Sequence, residues 1–273
     1  MMQTDLHRIL SRFLATMKHI IYPIKALTDN YVWAVFSKES NSCLIVDPGE
    51  SDPVKNFLHS KQLEICGILV THHHYDHTDG IRDLVKNKSI PVWGPDSGKI
   101  AHVNRYVSEN EIIHINELEL SLKAMLTPGH TLDHISFFND EILFCGDTLF
   151  AGGIGRIFEG TAKQMFESIV KIKKLNENTK VYCGHEYTLS NLEFASQVEP
   201  NNKKIANRLE HVRKLRSCNK ETLPSLLKEE FATNPFLRTA EKDVITAINL
   251  YYGSEIESEL EVFSKLRAWK DTA

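Results

Sequence analysis

The sequence predicts an α/β domain followed by a smaller helical one, and three observations carry that prediction. Short runs rich in β-branched and aromatic residues alternate with helical segments up to about residue 188. Several of these runs end in turn signals, such as "DPG" at 47–49 and "CGD" at 145–147. After about Ser190 the strand signal disappears, and the rest of the chain is helix-like and charged.

Taken in order, the strands are expected at "YVWAVF" (31–36), "CLIV" (43–46), "CGILV" (66–70), "HISFF" (134–138), "EILFC" (141–145) and "KVYCG" (180–184). The segment "TAKQMFESIVKIKKL" (161–175) reads as a helix: Thr161 and Gln164 match a capping box, and Met165, Phe166, Ile169, Val170 and Ile172 form its buried stripe. Further helices are expected at 202–217 and 258–271. Residues 1–16 are expected to be a disordered extension ahead of Met17, with the α/β domain at 17–189 and the helical one at 190–273.

Composition narrows the class. The 273 residues are 42% hydrophobic and 25% charged, which is globular. No window reaches the run of about 18 apolar residues that a membrane-spanning helix needs. A formal charge of -4 argues against a general nucleic-acid binder. Five cysteines without CxxC spacing read as reduced thiols and a cytoplasmic protein, not a disulfide framework. The expected protein is a monomer with no nucleic-acid or membrane partner.

"THHHYDHTDG" (71–80) packs four histidines and two aspartates into ten positions, entered from the apolar run "GILV". In an extended segment alternate side chains share a face, which would point His72, His74 and Asp76 the same way. His77 comes at once after them and needs the chain to turn, while His73 and Tyr75 face elsewhere. Imidazole with carboxylate suits borderline divalent metals such as zinc, iron or manganese. One loop cannot enclose such a site, so further ligands are expected from other strand ends. His130 in "TPGHT", Asp147 in "FCGDT" and His185 in "YCGHEYT" each follow an apolar run and a glycine that lets the backbone bend sharply. Together they make seven candidate ligands, enough for two metals if one carboxylate bridges. His134, inside an apolar strand, reads better as a hydrogen-bonded buried histidine.

With these residues the sequence resembles the metallo-β-lactamase superfamily, whose signature is T-H-x-H-x-D-H followed by His, Asp and His ligands. The resemblance implies an α+β fold, a four-layer αββα sandwich with the metals at one edge between two sheets. It implies His72, His74 and His130 at a first metal, Asp76, His77 and His185 at a second, and Asp147 bridging. The β-lactam hydrolases carry other ligands at the bridging position, which points away from antibiotic hydrolysis.

A narrower resemblance covers nearly everything from Met17 onward. "LFAGGIGRIFEGT" (149–161), "VYCGHEYTLSNLEFA" (181–195) and "NPFLR" (234–238) are similar to the hydroxyacylglutathione hydrolase (glyoxalase II) family. That resemblance implies a glutathione thioester as substrate, gripped by Arg156, Phe158, Tyr187, Arg267 and Lys270, with Asn191 contributing. Phe158 departs from family members that carry tyrosine there and lacks the hydroxyl. Cations opposite the two glutathione carboxylates would form charge-assisted hydrogen bonds. Arg267 and Lys270 are three apart and so share a helix face; spacing alone favours a solvated face. The glycines of "GGIGRIFEG" match neither a P-loop nor the dinucleotide spacing.

The expected chemistry is metal-assisted hydrolysis. Two divalent ions, zinc first with iron or manganese as alternatives, share a water and lower its pKa from 15.7 toward about 7. The metal-bound hydroxide attacks the thioester carbonyl, with Asp76 helping to orient it. A thiol of pKa near 8.5 leaves as thiolate without a strong general acid. The products would be a 2-hydroxy acid, usually D-lactate, and glutathione, as in the second step of methylglyoxal detoxification. An iron persulfide dioxygenase or a nuclease of the same superfamily, or a structural zinc protein, fits less well. The chain has a long helical tail, lacks a basic surplus, and its ligand set holds no paired cysteines.

Overall fold

The first six strands, β1 (Ile20–Ala26), β2 (Asn30–Phe36), β3 (Ser42–Val46), β4 (Glu64–Leu69), β5 (Val92–Gly94) and β6 (Arg105–Tyr106), form one sheet in sequence order. Pairing is antiparallel from β1 to β3 and parallel from β3 to β6. The structure is a computed structural model that describes residues 19–256 and 258–273, so the expected extension at 1–16 lies outside the described residues.

The central strands β2 and β3 and the end of β4 read as continuous apolar runs because both faces are covered. Tyr31, Trp33, Val35, Leu44, Val46 and Leu69 face inward to the second sheet. Val32, Ala34, Cys43, Ile45, Ile68 and Val70 face outward. Of the helices α1 (Ser51–Lys61), α2 (Tyr75–Thr78) and α3 (Ile81–Val85), the first and third cover that outer face through Val54, Phe57, Ile81 and Leu84. Pro23 sits in β1, an edge strand, where a missing N–H is tolerated.

The second sheet runs β14-β13-β10-β9-β8-β7. Its strands are β7 (Ile112–Ile115), β8 (Leu120–Leu126), β9 (Ile135–Phe138), β10 (Ile142–Gly146), β13 (Lys180–Cys183) and β14 (Ser225–Leu226), while β11 (Leu149–Phe150) and β12 (Gly153–Ile154) make a separate hairpin. Helix α4 (Ala162–Ile172) lies on this sheet with Met165, Ile169 and Ile172 buried. Its capping box is present: Gln164 N donates to Thr161 Oγ1 at 3.2 Å, and Thr161 N donates to Gln164 Oε1 at 2.9 Å. Helices α5 (Thr188–Val198), α6 (Lys203–Ser217), α7 (Leu227–Thr233), α8 (Lys242–Tyr252) and α9 (Glu259–Thr272) complete the chain, and α9 returns to α4, with the rings of Phe166 and Phe263 5.4 Å apart. The layers are therefore helix, sheet, sheet, helix, with a helical C-terminal region beside them.

All six expected strands are strands, with ends displaced by one or two residues, and the helices at 161–175, 202–217 and 258–271 correspond to α4, α6 and α9. One expectation is corrected. Strand structure does not end before Ser190, because β14 pairs antiparallel with β13 through Val181 and Ser225. Two residues are too few to show a period, so only the partner strand decides that element.

Candidate active site

The seven candidate ligands come together where strand ends from both sheets meet. His72 and His74 follow β4, Asp76 and His77 sit on α2, His130 is in the loop between β8 and β9, Asp147 follows β10, and His185 follows β13. Donor atoms of His72, His74 and His130 lie within 4.8 Å of one another, and so do those of Asp76, His77 and His185. Asp147 stands between the two triads. Its Oδ2 is 3.5 Å from His130 Nε2 and 3.2 Å from His185 Nε2, while Oδ1 is 3.5 Å from His77 Nε2. Two glycines make this approach possible. Gly146 has φ +44°, and a Cβ there would lie 2.4 Å from Thr71 Oγ1; a Cβ on Gly184 would lie 2.5 Å from Asp147 Oδ1.

The route by which Asp76 reaches the cluster differs from expectation. Strict alternation does not extend past His74, because the chain turns into α2 at Tyr75 and carries Asp76 and His77 on one helical turn. His73 does face away, donating to Asp133 Oδ1 at 2.9 Å, and Tyr75 is exposed.

Four of the five ligand-type histidines have their other nitrogen fixed by a neighbour, a feature that selects the tautomer. His130 Nδ1 donates to Arg156 O at 2.7 Å, and His185 Nδ1 donates to Asp29 Oδ1 at 2.8 Å. His77 Nδ1 donates to Asp47 Oδ2 at 3.0 Å. Thr71 Oγ1 gives its proton to Asp47 at 2.7 Å, so it accepts from His72 Nδ1 at 3.0 Å. Asn30 Nδ2 donates to Asp76 Oδ2 at 3.0 Å. His134 accepts from Asp147 N at 3.1 Å through Nε2, and its Nδ1 lies 2.9 Å from Thr127 Oγ1, which makes it a buried hydrogen-bonded histidine. Asp29, Asn30, Asp47 and Thr71 are not among the residues that sequence reasoning singles out. The one available signal is their position at strand ends, in "TDN", in "DPG" and next to the histidine run.

Electrostatics match a cation site. Burial and the neighbouring histidines hold His72 and His74 below the ordinary imidazole value; His130 is lowered too, chiefly by burial. These three are neutral donors. Burial alone would raise Asp76 and Asp147. The hydrogen bond from His185 and the charge of His77 hold Asp76 well below the usual carboxylate range, and the charges of His185 and His77 do the same for Asp147. His185 is raised to about 11 against the pull of burial, mainly by Asp147. Ionised carboxylates beside the three neutral imidazoles are ready to ligate, whereas His185 and His77, the latter raised against the pull of burial by Asp147 and Asp47, would each give up a proton to a cation. Buried His77 Nε2 and Asp147 Oδ1 have no hydrogen-bond partner, and a cation between them would satisfy both. The residues fit a divalent metal site.

A cavity of about 700 Å³ opens onto the cluster, lined by His74, Asp76, His130, Asp147 and His185 on its floor and by Tyr75, Phe150, Arg156, Phe158, Glu159 and Tyr187 around it. Arg156, Phe158 and Tyr187 are thus brought to the site. The Phe158 ring meets those of His130 and His74 edge-on at 5.2 and 5.7 Å, and the Tyr187 ring stacks on His185 at 4.8 Å. Asn191, Arg267 and Lys270 are not part of this lining. Lys270 Nζ donates to Asn191 Oδ1, and Arg267 Nη1 donates to Ile154 O at 3.0 Å. Arg267 is buried, so the pair does not form a solvated helix face.

Residues 27–185 match the family profile described as metallo-beta-lactamase superfamily, and residues 186–273 match that of the hydroxyacylglutathione hydrolase C-terminus. A hydroxyacylglutathione hydrolase of Idiomarina loihiensis is 46% identical over 253 residues, 93% of this chain and 99% of that protein. The protein of the same name from Psychromonas ingrahamii is 44% identical over 255 residues, again 93% and 99%. Among solved structures, ETHE1 from Myxococcus xanthus superposes with a TM-score of 0.62 at 20% identity, covering 93% of this chain and 99% of that one. The BLEG-1 B3 metallo-beta-lactamase does so at 0.60 and 21%, covering 80% and 99%. At such identities the likeness bears on the fold alone. The fold, the two profiles and the near full-length relatives agree: the chain belongs to the hydroxyacylglutathione hydrolase family within the metallo-beta-lactamase superfamily.

Proposed function

We propose that the protein hydrolyses S-(2-hydroxyacyl)glutathione thioesters, typically S-D-lactoylglutathione to D-lactate and glutathione. The observation that carries this reading is two donor triads, joined through Asp147, that open through His74, His130, Asp76 and His185 onto a cavity whose wall holds Arg156, Phe158 and Tyr187. His72, His74 and His130 would hold one divalent cation, Asp76, His77 and His185 the other, and Asp147 both. Zinc is the first assignment, with iron and manganese suited to the same donors. Such cations supply acidified water, its pKa lowered from 15.7 toward about 7, and positive charge for the carbonyl oxygen.

The chain's own residues do the rest. Asp76, ionised and held by Asn30, accepts a hydrogen bond from the attacking water and orients it toward the carbonyl carbon. Arg156 faces a glutathione carboxylate, while Phe158 and Tyr187 pack on the peptide. Glutathione leaves as thiolate, since a thiol of pKa near 8.5 needs no strong acid. Residues 17–189 would form the catalytic part and 190–273 the helical part that supports substrate binding. The relatives' name supports the glutathione thioester as substrate. We place the protein in the cytoplasm as a monomer, at the second step of methylglyoxal detoxification. No helix among the described residues is long and apolar enough to cross a membrane.

The test is loss of thioester absorbance from S-D-lactoylglutathione, beside a chelator-treated and metal-restored sample. Hydrolysis that vanishes with chelation and returns with metal is expected. No turnover by protein loaded with two metals would sink the assignment.

A further inference from the structure

The glycine-rich hairpin β11–β12 carries the chain to Arg156, yet two strands of two residues each cannot hold their own shape. Its backbone is held from behind by the helical region. Asn234 Nδ2 donates to Phe150 O at 3.2 Å and to Gly153 O at 3.0 Å. Asn191 Nδ2 donates to Ala151 O at 3.0 Å, and Gly152 N donates to Glu230 Oε2 at 2.7 Å. With the Arg267 contact to Ile154 O, every residue from Phe150 to Ile154 has a backbone atom held in this way.

Two of these groups are wholly buried. Glu230 is fully enclosed, and its Oε1 accepts from Arg208 Nη2 at 2.6 Å. Asn234, equally enclosed, also donates to Glu230 Oε2 at 3.1 Å, and its Oδ1 accepts from Phe236 N at 3.1 Å. The amide thus caps the turn Pro235–Leu237 with its oxygen and ties down the hairpin with its nitrogen. On its other side the hairpin runs on to the cluster of candidate ligands: Gly155 N donates to Thr148 O at 3.2 Å, and a Cβ on Gly155 would lie 1.9 Å from Asp147 O.

We propose that Asn234, backed by the Glu230–Arg208 pair, is a positioning residue for substrate recognition: it fixes the hairpin so that Arg156 and Phe158 stand at the cavity wall. This rests on the thioester function proposed for the site. The motif "NPFLR" then sets preference for the glutathione part of the substrate without touching it.

Asn234→Ser separates the two roles. Serine still caps Phe236 N but is too short to reach Phe150 O and Gly153 O. Turnover is measured on lactoyl thioesters of glutathione and of N-acetylcysteamine, a small neutral thiol. The preference for glutathione is expected to fall about tenfold, through KM, while the small thioester changes less than about twofold. Hydrogen exchange across 149–156 is expected to quicken about tenfold, with β9 and β10 unchanged. A lowered Tm with preference and exchange both unaltered would overturn the proposal and leave a merely structural residue. If the wild type hydrolyses neither thioester, the functional reading fails, and the exchange experiment still decides whether Asn234 holds the hairpin. Should Asn234→Ser fail to fold, Glu230→Gln, which removes the carboxylate that accepts from Gly152 N, is read by the same two measurements.

Discussion

Replacing Asp47 with asparagine changes one atom outside the ligand set, and the surrounding hydrogen bonds determine its effect. Asp47 adopts φ +53°, a left-handed conformation that asparagine also tolerates, so the backbone stays in place. Its buried carboxylate accepts from Thr71 N at 2.8 Å, Thr71 Oγ1 at 2.7 Å and His77 Nδ1 at 3.0 Å. An amide has one oxygen for these three donors. If its nitrogen faces His77, Nδ1 must accept and the proton moves to Nε2, the atom 3.5 Å from both Asp76 and Asp147. A protonated Nε2 cannot ligate. If the nitrogen faces Thr71 instead, the buried Thr71 N–H loses its acceptor, at a cost of about 1–3 kcal/mol. Removing a partner that orients a ligand typically costs about 10–100-fold in metal affinity, or roughly 1.4–2.8 kcal/mol. The assay is metal content by mass spectrometry after equilibration against graded chelator buffers, with turnover on the same samples. One cation of two is expected to leave at a free concentration about 10–100-fold above that of the wild type, with activity falling in step. Unchanged loading and unchanged turnover in Asp47→Asn would refute the reasoning.

The same geometry sets other outcomes. Metal binding at Asp76, His77 and His185 should release at least one proton at pH 7.5, because His185 without a cation titrates near 11 and His77 is raised too, whereas the neutral triad His72, His74 and His130 should release almost none. Affinity at the first of these triads therefore weakens as pH falls, and calorimetry in buffers of differing ionisation enthalpy measures the difference; equal release at both would contradict it. Gly146→Ala places a Cβ against Thr71 Oγ1 at φ +44° and should cost about 3 kcal/mol, seen as a Tm lower by roughly 6–12 °C. Burial, and then the charge of Arg267, push Lys270 down to about 7. A folded value below the unfolded one means the unfolded chain binds the extra proton between about 7 and 10.5, so this lysine destabilises least at high pH. The Tm of Lys270→Met should accordingly exceed that of wild type by more at pH 7 than at pH 9.5, and a constant difference would show that Lys270 does not titrate in that window.

That the seven candidate ligands come together is legible in the sequence because each of them announces itself locally, by a histidine run after an apolar strand or by a glycine just before a lone His or Asp. The residues that aim them are not. Asp47 looks like any turn residue in "DPG", and its hydrogen bonds run to Thr71 and His77, 24 and 30 positions away. Helical spacing puts Arg267 and Lys270 on one face without saying whether that face meets solvent, protein or ligand; Arg267 turns inward to Ile154 because the hairpin's carbonyls need donors. Alternation predicts the place of Asp76, and the chain abandons that alternation at Tyr75. The side chain still reaches the cluster, since one helical turn also brings neighbouring side chains round. Strands such as β5 and β6 are too short for any period to declare them.

The pairing of β14 with β13 bears on autonomy. Although the candidate ligands all precede residue 190, the chain up to that point leaves the outer edge of β13 without its partner strand. It also uncovers the apolar side of α4 where Phe166 meets Phe263. An open edge beside exposed aromatic surface is a template for self-association. A fragment ending at 189 would keep all seven candidate ligands yet leave that edge open, and it is expected to aggregate, because the C-terminal helices and their two-residue strand close the sheet whose strand ends carry Asp147 and His185.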